Sequence, residues 1–271
     1  MMEIEAYGDF VQQLAADAGA LALSYWKSLD KVKAKGKGSG LDIVTEADEA
    51  VEKYIREAIG KRYPTHAIYG EEGGMTAGDD YRWVIDPIDG TVSFFHGQFH
   101  WAVSIALQYK GQTIVGIVTC PAYGLSFFAM KGSGATMNGK PISPSTVALL
   151  SQAVACTGFC CIRSGWKENG LPLFDRMAPK VQGIRRLGSI ATDISFVACG
   201  KLDVCWEMNV NLYDVAAALL IAEEAGAKVT DMSGKTEHLP NFPLVSNGLL
   251  HGQVLEVFKG FDIPYQNRKG S

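Results

Sequence analysis

Trp83-Val84-Ile85-Asp86-Pro87-Ile88-Asp89-Gly90-Thr91 is an apolar strand that ends in two carboxylates three positions apart. Pro87 stiffens the link between them, and a Gly-Thr pair follows. Carboxylates that close repel each other unless a hard cation sits between them, so the run reads first as a magnesium site. The elements around it decide the architecture. Upstream, apolar spacing predicts a helix over residues 4–28. Thr45-Glu46-Ala47-Asp48 resembles a capping box that opens a second helix, which ends before Tyr63-Pro64. Ala67-Ile68-Tyr69 is a short strand that delivers Glu71-Glu72 into Gly73-Gly74, and the next strand is expected from Arg82 to Ile85. Downstream, strands are expected at residues 101–109, 113–119 and 125–130, with a hairpin turn at Asn138-Gly139.

From about residue 150 the pattern shifts. Strands at 152–157, 203–207, from 228 onward and at 243–246 alternate with helices at 190–198, 215–225 and 249–259. Ser189 sits near the cap of the first of these helices, and Gly226 stops the alanine-rich second. This order favours a layered α+β or α/β fold in two halves. Residues 1–148 would carry Glu71 and the Asp86–Thr91 run, and residues 149–271 would carry Glu207 and Asp214, with no flexible linker between them. Residues 31–40, four lysines among three glycines, read as a mobile positive loop, either a simple connection or a basic flap over a phosphate. No Gly-Lys-Ser/Thr triplet ends it, so it is not a Walker loop. The tail from Gln266 reads as frayed.

The 271 residues are 47% hydrophobic and 20% charged, which is ordinary globular composition. No apolar run approaches the roughly 20 residues that a membrane span needs. The opening Met-Met-Glu-Ile-Glu lacks a signal-peptide pattern, so a cytoplasmic location is expected. A net charge of −4 argues against general nucleic-acid binding but leaves room for a small anionic substrate beside a metal. None of the six cysteines forms a Cys-x-x-Cys pair, and buried reduced thiols are expected. His96 and His100 lack the glutamate of a zinc helix, and their aromatic neighbours point to packing.

Magnesium prefers oxygen ligands. Asp86 and Asp89 can reach one ion from the strand end, and the Ile88 carbonyl can join them. Glu71 arrives from another strand end and Asp214 from the start of an apolar helix, with Asp48 behind. Four carboxylates exceed the need of one small ion and fit two, about 3.5–4 Å apart with a shared carboxylate. Gly90 lets a phosphate approach the backbone, and Thr91 can orient a water whose proton Glu71 accepts. Each acid has a plainer reading. Asp48 and Asp214 could be helix caps, Asp86 a turn starter, and Glu71 solvated loop charge. The cluster taken together, with only Arg82 as a nearby base, favours function.

Gly70-Glu71-Glu72, the Trp83–Thr91 run, and Asp214-Val215-Ala216-Ala217 ahead of Glu223-Glu224-Ala225-Gly226 together resemble the inositol monophosphatase family. The resemblance covers about residues 5–260. It implies a five-layer αβαβα sandwich of the sugar-phosphatase type, magnesium-dependent and lithium-sensitive hydrolysis of phosphate monoesters with two or three ions, and commonly a homodimer. It implies that Glu71, Asp86, the Ile88 carbonyl, Asp89 and Asp214 hold metal, with Asp86 bridging. Thr91 would work with Glu71 on the attacking water, with Asp48 on the same catalytic side. Lys37 and Asp48 would frame a weaker outer metal site or phosphate flap. Gly90, Thr91, Ser189, Ile190, Glu207 and Asp214 would contact the substrate.

Three departures concern the alcohol pocket. Tyr213 stands where tryptophan is usual, Asn209 where glycine is common, and Ile190 where alanine is frequent. Inositol 1-phosphate is the expected substrate. Fructose 1,6-bisphosphate, histidinol phosphate and a 3′-phosphonucleotide are the rivals. A non-catalytic, metal-dependent partner-binding protein is the reading from another class.

Overall fold

The structure, a computed structural model, describes residues 2–37 and 42–265, without the side chains of residues 2, 3, 37, 42 and 163. Helix α1 (Met2–Trp26) leads into a hairpin of β1 (Ala34–Lys37) and β2 (Asp42–Thr45), then α2 (Glu46–Arg62). There follow β3 (Ala67–Gly70), β4 (Gly74–Thr76), β5 (Tyr81–Asp89), the short α3 (Thr91–Phe95), β6 (Ala102–Tyr109), β7 (Gln112–Cys120), β8 (Leu125–Met130), β9 (Ala135–Met137) and β10 (Lys140–Pro141). The chain continues through β11 (Val154–Thr157), α4 (Cys160–Arg163), α5 (Leu171–Met177), β12 (Gly183–Arg185), α6 (Ile190–Ala198), β13 (Val204–Trp206), α7 (Leu212–Glu224), β14 (Lys228–Asp231), β15 (Pro243–Ser246) and α8 (His251–Phe258).

Two sheets organise these elements. An eight-stranded sheet has the order β10-β9-β8-β7-β6-β5-β3-β4, and a five-stranded sheet the order β12-β11-β13-β15-β14. Side-chain alternation sorts the core into three apolar layers. Trp83 and Ile85 of β5 face α1 and α2, where Val11, Leu14, Val51 and Ile55 are buried. Val84 faces the other way, toward Ile194 of α6 and Ala217 and Ile221 of α7. Cys156 and Cys205 of the small sheet close that middle layer, while Trp206 and Leu244 turn outward to Leu173 of α5 and Val254 of α8. The result is an αβαβα sandwich, as expected. Alanine suits α7 because two sheets press on it: a Cβ on Gly116 of β7 would lie 2.9 Å from the Ala217 carbonyl. Among the described residues no helix is long and apolar enough to cross a membrane.

Several expectations need correction. Residues 34–37 and 42–45 pair as antiparallel strands, so Ala34–Lys37 of the expected loop are strand instead. The ladder satisfies backbone groups that lysine and glycine would otherwise leave to water, which overrides their low strand preference. Residues 38–41 and the expected frayed tail 266–271 lie outside the described residues. The strand through Val84 does not stop at Ile85. It runs on to Asp89, pairing Asp86 with Ser104 and Asp89 with Ala102, so three steps on β5 oppose two on β6. That is a β-bulge, and Pro87 fits there because a bulge position forgoes a ladder bond. Helix α7 begins at Leu212, ahead of the expected 215. Strand β4 and helix α5 are elements the apolar pattern did not signal.

Candidate active site

Four elements bring the acids together. The bulge in β5 turns Asp86 and Asp89 toward one cavity, β3 ends one residue before Glu71, α7 presents Asp214 from its first turn, and α2 places Asp48 behind Thr91. The cavity holds about 670 Å³ and is lined by Glu71, Asp86, Ile88, Asp89, Gly90, Thr91 and Asp214. Its other wall carries Ser164, Arg186, Ser189, Ile190, Glu207, Asn209 and Tyr213. Asp48 is fully buried outside the lining and reaches the cavity through Thr91, whose hydroxyl lies 3.2 Å from Asp48 Oδ1 and 3.2 Å from the Ile88 carbonyl. Lys37 ends β1, and its side chain lies outside the described residues.

The plainer readings of two acids hold alongside the shared site. Asp48 closes a capping box, accepting the Thr45 amide at 2.8 Å and the Thr45 hydroxyl at 2.5 Å. Asp214 Oδ2 accepts the Asn211 amide at 2.6 Å. In each the cap uses Oδ2 and leaves Oδ1, which in Asp48 meets the Thr91 hydroxyl. Asp89 is engaged from the far side, where its Oδ2 accepts the Ser189 hydroxyl at 2.6 Å and the Ala191 amide at 2.7 Å. Ser189 is thereby committed to an acid, and it also caps α6 through the Thr192 amide. Gly90, at φ +94, makes the left-handed turn from β5 into α3, and a Cβ there would lie 3.0 Å from both the Gly188 and His100 carbonyls.

The electrostatics are lopsided. Burial first, then Glu71, Asp89, Asp214 and Asp48, push the Asp86 carboxyl well above its ordinary range. Burial also raises Asp214, with Asp89 and Glu71 adding to it against the opposing Asn211 bonds. Asp89 is lifted to about 7, mainly by burial, against the Ser189 and Ala191 bonds. Asp48 is lifted to about 6 by burial, partly offset by Thr45. Arg82, the one base close by in sequence, is turned to Gln108 Oε1, with Nη2 at 2.6 Å and Nε at 3.0 Å. Among the described residues no Lys, Arg or His forms an ion pair with Asp86, Asp89 or Asp214. Nor do any three His, Cys, Asp or Glu side chains stand close enough together to hold an ion as they are. The donor set is all oxygen, which suits a hard divalent ion and not zinc or copper.

Two of the three departures, Asn209 and Tyr213, have a local structural reason in the cavity's other wall. Asn209 has φ +66, the left-handed region where glycine costs least, and its amide donates to the Ser164 hydroxyl at 2.8 Å. Tyr213 packs on Tyr69 with ring centroids 5.6 Å apart, and burial beside Asp214 raises its phenol. Glu207 is 3% exposed, and a Cβ on Gly158 would collide with its carboxylate. Sequence reasoning missed Ser164, Arg186, Asp193 and Asn211, because isolated polar residues in loops and caps carry no spacing signal. His100 is more than packing: its Nε2 lies 2.8 Å from Asp193 Oδ1 and its Nδ1 3.1 Å from the Tyr123 hydroxyl. The six cysteines are free thiols, four of them buried.

The sequence profile of the inositol monophosphatase family matches residues 4–260. The chain is 40% identical to the Nus factor SuhB of Pseudomonas aeruginosa, over 86% of this chain and 88% of the relative. It is 37% identical to the fructose-1,6-bisphosphatase/inositol-1-monophosphatase of Thermotoga maritima, over 92% and 94% of the two chains. Its fold matches the crystal structure of the extragenic suppressor protein suhB from Bartonella henselae with a TM-score of 0.89 at 31% identity, covering 94% of this chain and 99% of that one. The chain belongs to the inositol monophosphatase family and, as a member, is a phosphoric monoester hydrolase.

Proposed function

We propose that the protein hydrolyses a small phosphomonoester, inositol 1-phosphate first among them, in a magnesium-dependent reaction. The observation that carries this is the ring of Glu71, Asp86, Asp89 and Asp214 around one cavity, with the last three lacking any ion pair among the described residues. Glu71, Asp86, the Ile88 carbonyl, Asp89 and Asp214 would hold two magnesium ions, and Asp48 and Lys37 would frame a weaker third. Bound there, the ions would supply Lewis acidity toward water and the phosphoryl oxygens. The chain's own groups do the rest. Thr91 gives its hydroxyl proton to a hydrogen bond with Asp48, so its oxygen lone pairs stay free to accept from the attacking water. Glu71 takes that water's proton. The Gly90 and Thr91 amides offset charge on the phosphoryl oxygens. Glu207, Ile190 and the Asn209–Ser164 pair shape the alcohol side, and Ser189 acts there through Asp89.

The test is a panel of inositol 1-phosphate, fructose 1,6-bisphosphate, histidinol phosphate and a 3′-phosphonucleotide, ranked by kcat/KM with magnesium and with a chelator. Magnesium-dependent turnover led by inositol 1-phosphate supports the reading, and full activity of Asp89→Asn would count against it. Lithium inhibition and a dimeric mass in sedimentation belong to the same reading. One relative is named a Nus factor, which favours a partner-binding role as the second reading. Metal binding without turnover of any of the four phosphates would move the assignment there.

A further inference from the structure

Helix α2 carries Asp48, Glu52 and Arg56 at four-residue intervals, so the three share one face. Glu52 is 2% exposed, yet its carboxylate is fully engaged. Its Oε2 accepts the Glu72 amide at 2.8 Å, and its Oε1 accepts the Gly73 amide at 2.8 Å and the Arg56 Nε at 2.6 Å. Arg56 in turn donates Nη2 to the Gly74 carbonyl at 2.5 Å. The pair therefore grips residues 72–74, the turn between β3 and β4 that follows directly on Glu71. Glu71 itself is tied by its amide to the Ile85 carbonyl of β5 at 3.2 Å.

The turn is shaped around that carboxylate. A Cβ at Gly73 would sit 2.8 Å from both Glu52 Oε1 and Arg56 Nε, and one at Gly70 would collide with the Glu52 carboxylate. A short hairpin closes without such help, since Gly70 and Gly74 already pair across it. A buried ion pair is also a poor source of net stability, because desolvation offsets its attraction. Its distinctive effect is to fix the orientation of the segment it holds. The same helix presents Asp48 to Thr91 one turn earlier, so both arms of the water-activating side hang from α2.

We propose that Glu52, clamped by Arg56, is a positioning residue for Glu71, setting the direction from which the Glu71 carboxylate enters the cavity relative to Asp48 and Thr91. This rests on the assignment of Glu71 as metal ligand and proton acceptor, so the experiment separates the two. Glu71→Gln is measured first, and full activity in that variant overturns the assignment of Glu71 and the clamp with it. With Glu71 shown to matter, Glu52→Gln and Gly73→Ala are assayed on inositol 1-phosphate across magnesium concentrations. Mn2+ binding without substrate is followed by the paramagnetic resonance of the free ion.

Each variant is expected to lower kcat by about 10- to 100-fold, to raise the half-saturating magnesium concentration and to weaken Mn2+ binding by a similar factor, with KM for substrate nearly unchanged. Arg56→Lys, which keeps the charge but loses the bond to Gly74, should fall between these and the unaltered protein. A lower melting temperature with unaltered kcat and Mn2+ affinity, measured well below that temperature, would reduce Glu52 to a purely structural role. Should Glu52→Gln not fold, Gly73→Ala decides, because it disturbs the clamp while keeping both charges.

Discussion

Asp86 and Asp231 are both almost fully buried carboxylates on strands, at 1% and 0% exposure, and their surroundings are opposite. Asp231 closes β14 and is answered by the protein: its oxygens accept the amides of Ser233 at 2.8 Å, Lys235 at 3.2 Å and His238 at 3.1 Å, and the Ser233 hydroxyl at 2.6 Å. Asp86 accepts one local amide, that of Ile88 at 3.1 Å, and otherwise faces Glu71, Asp89, Asp214 and Asp48. A buried charge is tolerated where donors converge on it. Where other negative groups converge instead, the protein leaves the charge unanswered, and the site suits a proton or a cation. The same residue type is thus answered by the protein at one position and left among like charges at the other.

The largest expected effect comes from removing the unanswered charge. Asp86→Asn should lower magnesium-dependent phosphatase activity by about 1,000-fold or more, since electrostatic stabilisation is commonly the largest catalytic contribution. The same change should raise the melting temperature of metal-free protein, because it removes a source of repulsion. A calorimetric scan in chelator, paired with a turnover assay, checks both, and a lower metal-free melting temperature would break the contrast. Asp231→Ala should do the reverse. It leaves buried amides without an acceptor and should cost about 3 kcal/mol in denaturant unfolding, while kcat of the folded fraction stays unchanged.

The contrast also has a pH signature. In metal-free protein, Asp89 at about 7 and Asp48 at about 6 hold their protons more tightly folded than unfolded. Stability from these groups is fully present below the unfolded carboxylate range and is lost as pH rises from about 4 to about 7. Magnesium, by binding the ionised form, should flatten that slope, which melting curves at several pH values with and without magnesium will show. The smallest effect has the opposite sign. His251 is pushed down to about 4, mainly by burial, and is held between the Thr230 and Ser246 hydroxyls at 2.8 Å each. Its contribution is fully present above about 6.5 and is lost as pH falls toward about 4. His251→Gln should shrink the acid loss seen with magnesium bound and leave the metal-free loss above pH 6.5 untouched.

How much was legible depends on the range of the signal. The strand into Asp86 and Asp89 showed itself through a contiguous apolar run, the α2 cap through Thr45 and Asp48, and the β9–β10 hairpin through Asn138-Gly139. Each is a pattern of neighbours. The β1–β2 hairpin was hidden because lysine and glycine have no strand preference, and only pairing of Ala34 with Thr45 and its neighbours supplies the bonds. Arg186 and Asn211 were hidden because single polar residues have no period. The clamp by Glu52 was hidden for another reason: a glutamate at mid-helix looks like a solvated face until the Glu72 and Gly73 amides are brought to it.

Alone, the order of residues determined which carboxylates exist, their offsets within each segment, and the layered class of fold, since backbone periodicity and caps act over a few positions. The folded arrangement decided which oxygens are used up and which are left. One oxygen of Asp89 was taken by Ser189 and Ala191, one of Asp214 by its own cap, Arg82 was turned to Gln108, and Asp86 was left among like charges. Hydrogen bonds and Coulomb forces act through space, and distance in space is set only when the layers close.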